Sequence, residues 1–477
     1  MLLALILSCS CLEWELVQEL KTDANSSLYG HSIAYSKQRF VVGANWENNM
    51  TYKKAGALYI YDYDALQSKY VLKQKIIETS GLDFQGRSVE IKATGTDVRI
   101  TSDGKRIITS ASSSNVMHGG SKITSAGCIL VYDLNESTDL FERVNILTVA
   151  VPKANTGLGR NLDSSSDGKY IAAAATDKFV VQTNMSGEVF VFTEQTSNSW
   201  VVTNPLVPNG ISFQYDSRVG SDLQFMDAST LMIATNARYS NMTGAFTFKK
   251  QGDDWIQNEE AVFPIDPTGT TFLNYGDRLA MPDDTKSFLA FTAAGANYTE
   301  GAIYIVAKNS SDIWDSNPVQ TIKLPEGWHL YDVDFCGQNN LVLFDPLYSG
   351  TSFDNGGVMY YVKENGQFVM KSEIFPPHNI SHQMFGSAVS FSEDCKTMII
   401  GAHSKGNPFG EAAGEAYSDN GVYVYRVKED SNDSDDDNTT LIVVASIAGG
   451  AIIIGLVVFF SISLRKNKQN DDVPNTI

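Results

Sequence analysis

Phe385-Gly-Ser-Ala-Val-Ser-Phe-Ser-Glu-Asp-Cys-Lys-Thr-Met-Ile-Ile-Gly-Ala402, followed by Gly421-Val-Tyr-Val-Tyr425, decides the fold of this chain. It reads as three strands: one entered from Phe385-Gly386, an apolar one ending in Gly401-Ala402, and an alternating apolar-aromatic one entered from Gly421. The last of these recurs as Gly56-Ala-Leu-Tyr-Ile-Tyr61, Gly127-Cys-Ile-Leu-Val-Tyr132, Gly187-Glu-Val-Phe-Val-Phe192, Gly244-Ala-Phe-Thr-Phe248, Gly301-Ala-Ile-Tyr-Ile-Val306 and Gly357-Val-Met-Tyr-Tyr-Val362. Seven copies of one unit imply an array of that unit.

The first strand recurs as well, at Tyr29-Gly-His-Ser-Ile33, Gln85-Gly-Arg-Ser-Val89, Leu158-Gly-Arg-Asn-Leu162, Val219-Gly-Ser-Asp-Leu223 and Tyr275-Gly-Asp-Arg-Leu279. In the sixth unit, Tyr331-Asp-Val-Asp-Phe335, Asp332 stands where glycine is expected. These anchors, at 30, 86, 159, 220, 276, 332 and 386, are 56, 73, 61, 56, 56 and 54 residues apart. A fourth strand opens on an aromatic residue: Trp200, Trp255 and Trp314 in three units, Tyr70, Phe141 and Phe368 in three others. The seventh unit has none after Tyr425, whereas Trp14-Glu-Leu-Val-Gln-Glu-Leu20 has that character and precedes the first anchor. An N-terminal strand that completes the last unit leaves no open edge. The expectation is an all-β, seven-bladed β-propeller over residues 12–428, closed by an N-terminal outer strand.

The net charge is −19, from 36 Lys+Arg against 55 Asp+Glu, which argues against a nucleic-acid partner. Residues 441–464 hold 24 residues without a charge, followed by Arg465-Lys-Asn-Lys468. This predicts one transmembrane helix with a short cytoplasmic tail, residues 465–477, and an acidic stalk at 429–440. Leu2–Leu7 is apolar and precedes small residues, so residues 1–11 read as a signal peptide. Ten Asn-X-Ser/Thr acceptors, at Asn25, Asn49, Asn135, Asn184, Asn241, Asn297, Asn309, Asn379, Asn432 and Asn438, fall in expected loops or the stalk. The propeller is therefore expected outside the cell or in a lumen, at the plasma membrane or an endomembrane. Small residues four apart in the span, such as Ala445 and Gly449, offer a weak dimer signal. Cys128, Cys336 and Cys395 lie on different units, with no pairing legible in the sequence.

The series aromatic-Gly-X-Ser-Val, Val-Gly-Ala, Gly-X-Val-Tyr-Val-Tyr resembles FG-GAP repeats, those of the integrin alpha-subunit propeller and related surface proteins. The chain lacks integrin leg domains, so it is not read as an integrin subunit. The resemblance implies a ligand face formed by the loops joining strands two to three and four to one. Family members often carry a calcium loop of three alternating acids between the first two strands. Here those turns read Ser102-Asp-Gly-Lys105, Ser166-Asp-Gly-Lys169 and Ser392-Glu-Asp-Cys395, better read as hairpin turns, so no motif supports calcium and no cofactor is expected.

Aromatic residues in the long loops are the candidate ligand contacts: Trp46, His118, Tyr348, Phe353, Phe409 and Tyr417. The stretches 112–126, 345–356 and 403–420 carry no glycan acceptor and are the favoured windows. Arg87, Arg160, Arg218 and Arg278 sit at or near strand one and are expected beside the channel. The expected function is recognition of an extracellular or luminal protein or glycan, in adhesion or a related role, without enzymatic activity. The alternatives are an enzyme acting on glycans or anions through the channel arginines, and a structural surface coat.

Overall fold

The computed structural model describes residues 13–22, 27–49, 52–176, 187–196, 199–209, 218–235, 244–262, 274–282, 287–294, 301–310, 313–328, 331–349, 355–378, 382–403, 420–428, 442–448 and 451–457. Glycine-entered, β-branched and aromatic runs form strands that pair antiparallel with their sequence neighbours. Sheet 1 is Tyr29–Ser36, Arg39–Ala44, Ala57–Asp64 and Lys69–Ile76. Sheet 2 is Thr94–Ile100, Arg106–Ala111, Cys128–Asn135 and Leu140–Leu147. Sheets 3 to 6 repeat the pattern and begin with Leu162–Ser164, Val219–Asp227, Asn274–Ala280 and Asp332–Cys336. Sheet 7 is Phe385–Phe391, Thr397–Ala402 and Gly421–Val427, and its fourth strand is the N-terminal Trp14–Lys21, with Trp14 opposite Val427. The compact unit spans Trp14–Val427.

Apolar residues from facing sheets form the cores. Val41, Leu58 and Ile60 of sheet 1 pack with Val98, Ile107 and Leu130 of sheet 2, all fully buried. The same layering joins sheets 2 and 3, 3 and 4, 4 and 5, 5 and 6, and 7 and 1. The glycine before strand three has a seam role. At Gly56, φ is +79° and a Cβ would lie 2.3 Å from the Thr94 backbone of the next sheet, to which it is bridged. Gly127 meets Leu158 and Gly356 meets Phe385 in the same way, so the sixth copy of this glycine is Gly356 rather than Gly357.

The aromatic residue that opens strand four is held by a glutamine from the preceding sheet. Gln18 donates to Tyr70 O and accepts from Tyr70 N, both at 2.8 Å. Gln74 does the same to Phe141 (2.9 and 2.8 Å), and Gln320 to Phe368 (2.8 and 2.7 Å). A side-chain amide mimics a strand partner here and satisfies backbone groups at the outer edge.

Two expectations are corrected, the second anchor and the residue that opens the fourth strand of sheet 5. The second anchor is Gly95, not Gly86: Thr94-Gly-Thr-Asp-Val98 is the first strand of sheet 2, and the first two spacings become 65 and 64. Gly86 belongs to an insertion, in which Ser80–Leu82, Ser88–Glu90, Asn115–His118 and Ser121–Ile123 form an eighth, small sheet. In sheet 5, Trp314 bridges Lys308 ahead of the fourth strand, Gln320–Lys323. Where a transmembrane helix is expected, Ile442–Ala448 and Ala451–Val457 pair as an antiparallel hairpin, and among the described residues no helix is long and apolar enough to cross a membrane. β-branched residues with Gly449-Gly450 between them carry a strong hairpin signal, which explains the difference. The signal peptide, stalk and tail lie outside the described residues.

Candidate functional site

The first strands of all seven sheets line one central cavity of about 1190 Å³. Its wall holds side chains that reach across six of the seven seams. Ser32 Oγ donates to Gly95 O (2.9 Å), and Asp97 accepts from Leu162 N (2.9 Å). Asn161 donates to Gly220 O (2.8 Å), and Asp222 accepts from Leu279 N (2.8 Å). Arg278 Nε donates to Asp332 (3.2 Å), and Ser387 Oγ donates to Gly30 O (3.0 Å). Ser32, Asp97, Asn161, Asp222 and Arg278 each stand two residues after the anchor and Ser387 one after it, where a glycine bulge turns the strand: Gly30 has φ +93° and interrupts the register between Tyr29 and Ser32. Sheet 6, with Asp332 at that place, pairs without a bulge.

Arg160, Arg218 and Arg278 line the cavity. Arg87 does not. It lies in the small eighth sheet, where Nε donates to the buried Asp83 (2.7 Å) and the other nitrogens reach Val149 O and Ala150 O (both 2.9 Å). The residue in its place is Arg99, which the misplaced anchor concealed. Its nitrogens donate to Asp97 (2.6 Å) and Asp163 (3.1 Å). Burial opposes the charge of Arg99, but these two carboxylates outweigh it and hold its pKa above the ordinary value. Eight carboxylates line the cavity against five Lys and Arg, so the arginines do not make it an anion trap. Burial raises Asp222 to about 7 despite the attraction of Arg278, with Asp332 adding repulsion. Asp332 is also raised, first by burial.

The strand-one to strand-two turns close on themselves. Thr101, Ser165 and Ser392 donate to Asp103, Asp167 and Asp394 (2.6, 2.7 and 2.6 Å), which also accept from Lys105, Lys169 and Lys396 N–H. Among the described residues no group of three or more acidic, His or Cys side chains could hold a metal ion.

On the opposite, long-loop face, Trp46 is 40% exposed, with Lys54 Nζ 3.7 Å above its ring. His118 contacts Arg87 in the small sheet. Tyr348 packs against two neighbouring connections, stacked on Trp328 at 4.4 Å and Phe375 at 5.6 Å. Phe353, Phe409 and Tyr417 lie outside the described residues. The window 112–126 is built into the small sheet rather than left as a loop. Of the glycan acceptors, Asn309 is exposed, Asn49 is half-buried, and Asn135 is the last residue of a strand rather than a loop residue. Asn25, Asn184, Asn241, Asn297, Asn379, Asn432 and Asn438 lie outside the described residues.

Cys336 and Cys395 form a disulfide, while Cys128 is buried and free. The bridge joins the end of the first strand of sheet 6 to a turn of sheet 7.

Repeated four-stranded meanders around a channel define a β-propeller, and comparison with solved structures shows the same fold. The chain is similar to the WD40 repeats of RRP9, with a TM-score of 0.52 at 9% identity over 90% of this chain and 100% of that one. It is also similar to the WD40 propeller of Doa1 (TM-score 0.47, 13% identity, 88% and 98% covered) and to a periplasmic gluconolactonase of Pseudomonas aeruginosa (0.46, 13%, 72% and 85%). The latter two are too loose to carry an argument. No family model matches the chain, and no curated protein matches it.

Proposed function

We propose that this chain is a seven-bladed, FG-GAP-like propeller that works as a recognition module outside the cell or in a lumen, held by one membrane span. The observation that carries the reading is the division of faces. The chain leaves the ring at Val427, paired with Trp14, on the side of the short self-capped turns. The long loops, the small sheet and Trp46 stand on the other side, so a rigid scaffold presents them away from the attachment point. The Cys336–Cys395 disulfide supports an oxidising compartment. The span rests on the 24 uncharged residues 441–464. In lipid a lone hairpin leaves its strand edges unsatisfied, so the segment becomes helical on insertion. Recognition is favoured over turnover because Arg99 and Arg278 are engaged by carboxylates of their own or the adjacent sheet.

The test is display of the full chain on a eukaryotic cell, with protease shaving and a binding screen against extracellular proteins and glycans. The reading expects the propeller to be cleaved from intact cells and to bind a defined partner, with binding lost when 112–126 or 345–356 is replaced. Protection of the propeller in intact cells together with its cleavage in sealed microsomes contradicts the topology.

A further inference from the structure

The loop face carries a positive strip on a chain of net charge −19. Lys53 and Lys54 are exposed in the loop between the second and third strands of sheet 1. Lys54 O accepts from Ala93 N (2.9 Å), which sets this loop against the segment that leads into the first strand of sheet 2. Beside it, Lys92 and Lys122 both grip Glu90, at 2.8 and 2.5 Å. The strip therefore crosses from sheet 1 to the small sheet as four lysines, two of them paired with Glu90. Hydrogen bonds from Lys122, Lys92 and Asn115 hold Glu90 at about 2, so it stays ionised and already paired. The nearby Glu47 is buried and engaged by Lys75 and by the Tyr59 hydroxyl (2.7 Å). Trp46 and Tyr52, 40% and 37% exposed, flank the lysines with flat apolar faces.

We propose that this strip, Lys53, Lys54, Lys92 and Lys122 with Trp46 and Tyr52 beside it, binds a sulfated polysaccharide chain. A linear polyanion fits the geometry better than a peptide strand. Beyond Ile123 the edge is occupied: Thr124 O and Ser125 O accept from Asn155 N and Gly157 N (2.9 and 3.1 Å), so no long backbone edge is open for strand addition. Clustered lysines draw polyanions by charge, and aromatic faces beside them suit the apolar faces of sugar rings. The choice of a glycan over a nucleic acid rests on the extracellular or luminal reading above.

The experiment uses full-length protein in detergent, flowed over immobilised heparin, hyaluronan and oligo-dT. Binding to heparin is expected, falling roughly hundredfold between 50 and 200 mM salt if four lysines release counterions as they do from a polyphosphate. Lys53→Glu/Lys54→Glu is expected to weaken it about tenfold or more on the same basis, and Trp46→Ala to weaken it less. Lys105→Glu/Lys169→Glu, on the opposite face, is expected to change it less than about twofold, since exposed charges beyond a Debye length are screened. No heparin binding, equal binding to hyaluronan or oligo-dT, or an equal loss from the opposite-face variant overturns the proposal. Binding of a protein partner without heparin binding leaves the recognition reading standing and removes only this one.

Discussion

Between sheets 1 and 2, and again between sheets 6 and 7, the same join is made by different chemistry. At the first seam Ser32 reaches Gly95 O (2.9 Å), Gln74 clamps Phe141, and an apolar cluster fills the space. At the second, Asp332 has replaced the anchor glycine, and its Oδ1 accepts from its own neighbour, Val333 N (2.8 Å). There the Cys336–Cys395 bridge crosses the seam, and Trp14 packs edge-on against Tyr360 at 5.2 Å. Both seams keep the close glycine approach, Gly56 to Thr94 and Gly356 to Phe385. The backbone contact is therefore common to the two joins. The second seam carries a covalent bond besides.

Breaking the shared part has the largest expected effect. Gly56→Ala puts a Cβ 2.3 Å from Thr94 backbone atoms at φ +79°. A cost of about 4 kcal/mol is expected from the strain and the forced separation, read as a fall in urea midpoint. Next is the covalent stitch. The bridge closes a separation of 59 residues, and Cys336→Ser/Cys395→Ser should cost about 3 kcal/mol under oxidising conditions. Reducing agent should lower the wild type to the level of the variant and leave the variant unchanged.

The channel carboxylates sharpen the comparison through pH. Asp222 has a folded pKa of about 7 against an ordinary value of 3.8, so its protonated form is favoured by folding. That contribution is full below the unfolded value and is lost as pH rises through 7; Asp332, also raised, acts in the same direction. Asp222→Asn should flatten the loss of stability between pH 5 and 8 by about 1–2 kcal/mol, discounted because the group faces an open cavity. The smallest effect belongs to a single clamp. Gln74→Leu removes two hydrogen bonds to Phe141 and should cost about 1–2 kcal/mol in urea midpoint.

Strand composition and the repeated glycines made most of the ring legible in the sequence. The N-terminal strand was legible because Trp14-Glu-Leu-Val repeats the outer-strand character that the seventh unit lacks. The second anchor was not. Gln85-Gly-Arg-Ser-Val89 matches the signature better than Thr94-Gly-Thr-Asp-Val98, and only pairing with Arg106–Ala111 shows which one enters the ring. That error moved Arg87 into the channel and hid Arg99. The glutamine clamps were present as Trp14/Gln18 and Tyr70/Gln74, four residues apart, but a polar residue on an outer strand has no signal of its own partner. The basic strip was hidden because its lysines come from three separated stretches that fold side by side.

The central claim is that one face of the ring works and the other is attachment. Hydrogen exchange of the full-length protein, with and without a heparin oligosaccharide, tests it most directly. The account predicts new protection in residues 45–55, 88–93 and 115–123 and none in the turns at 101–105, 165–169 and 392–396. Protection of those turns with none in the three loop-face segments would contradict it.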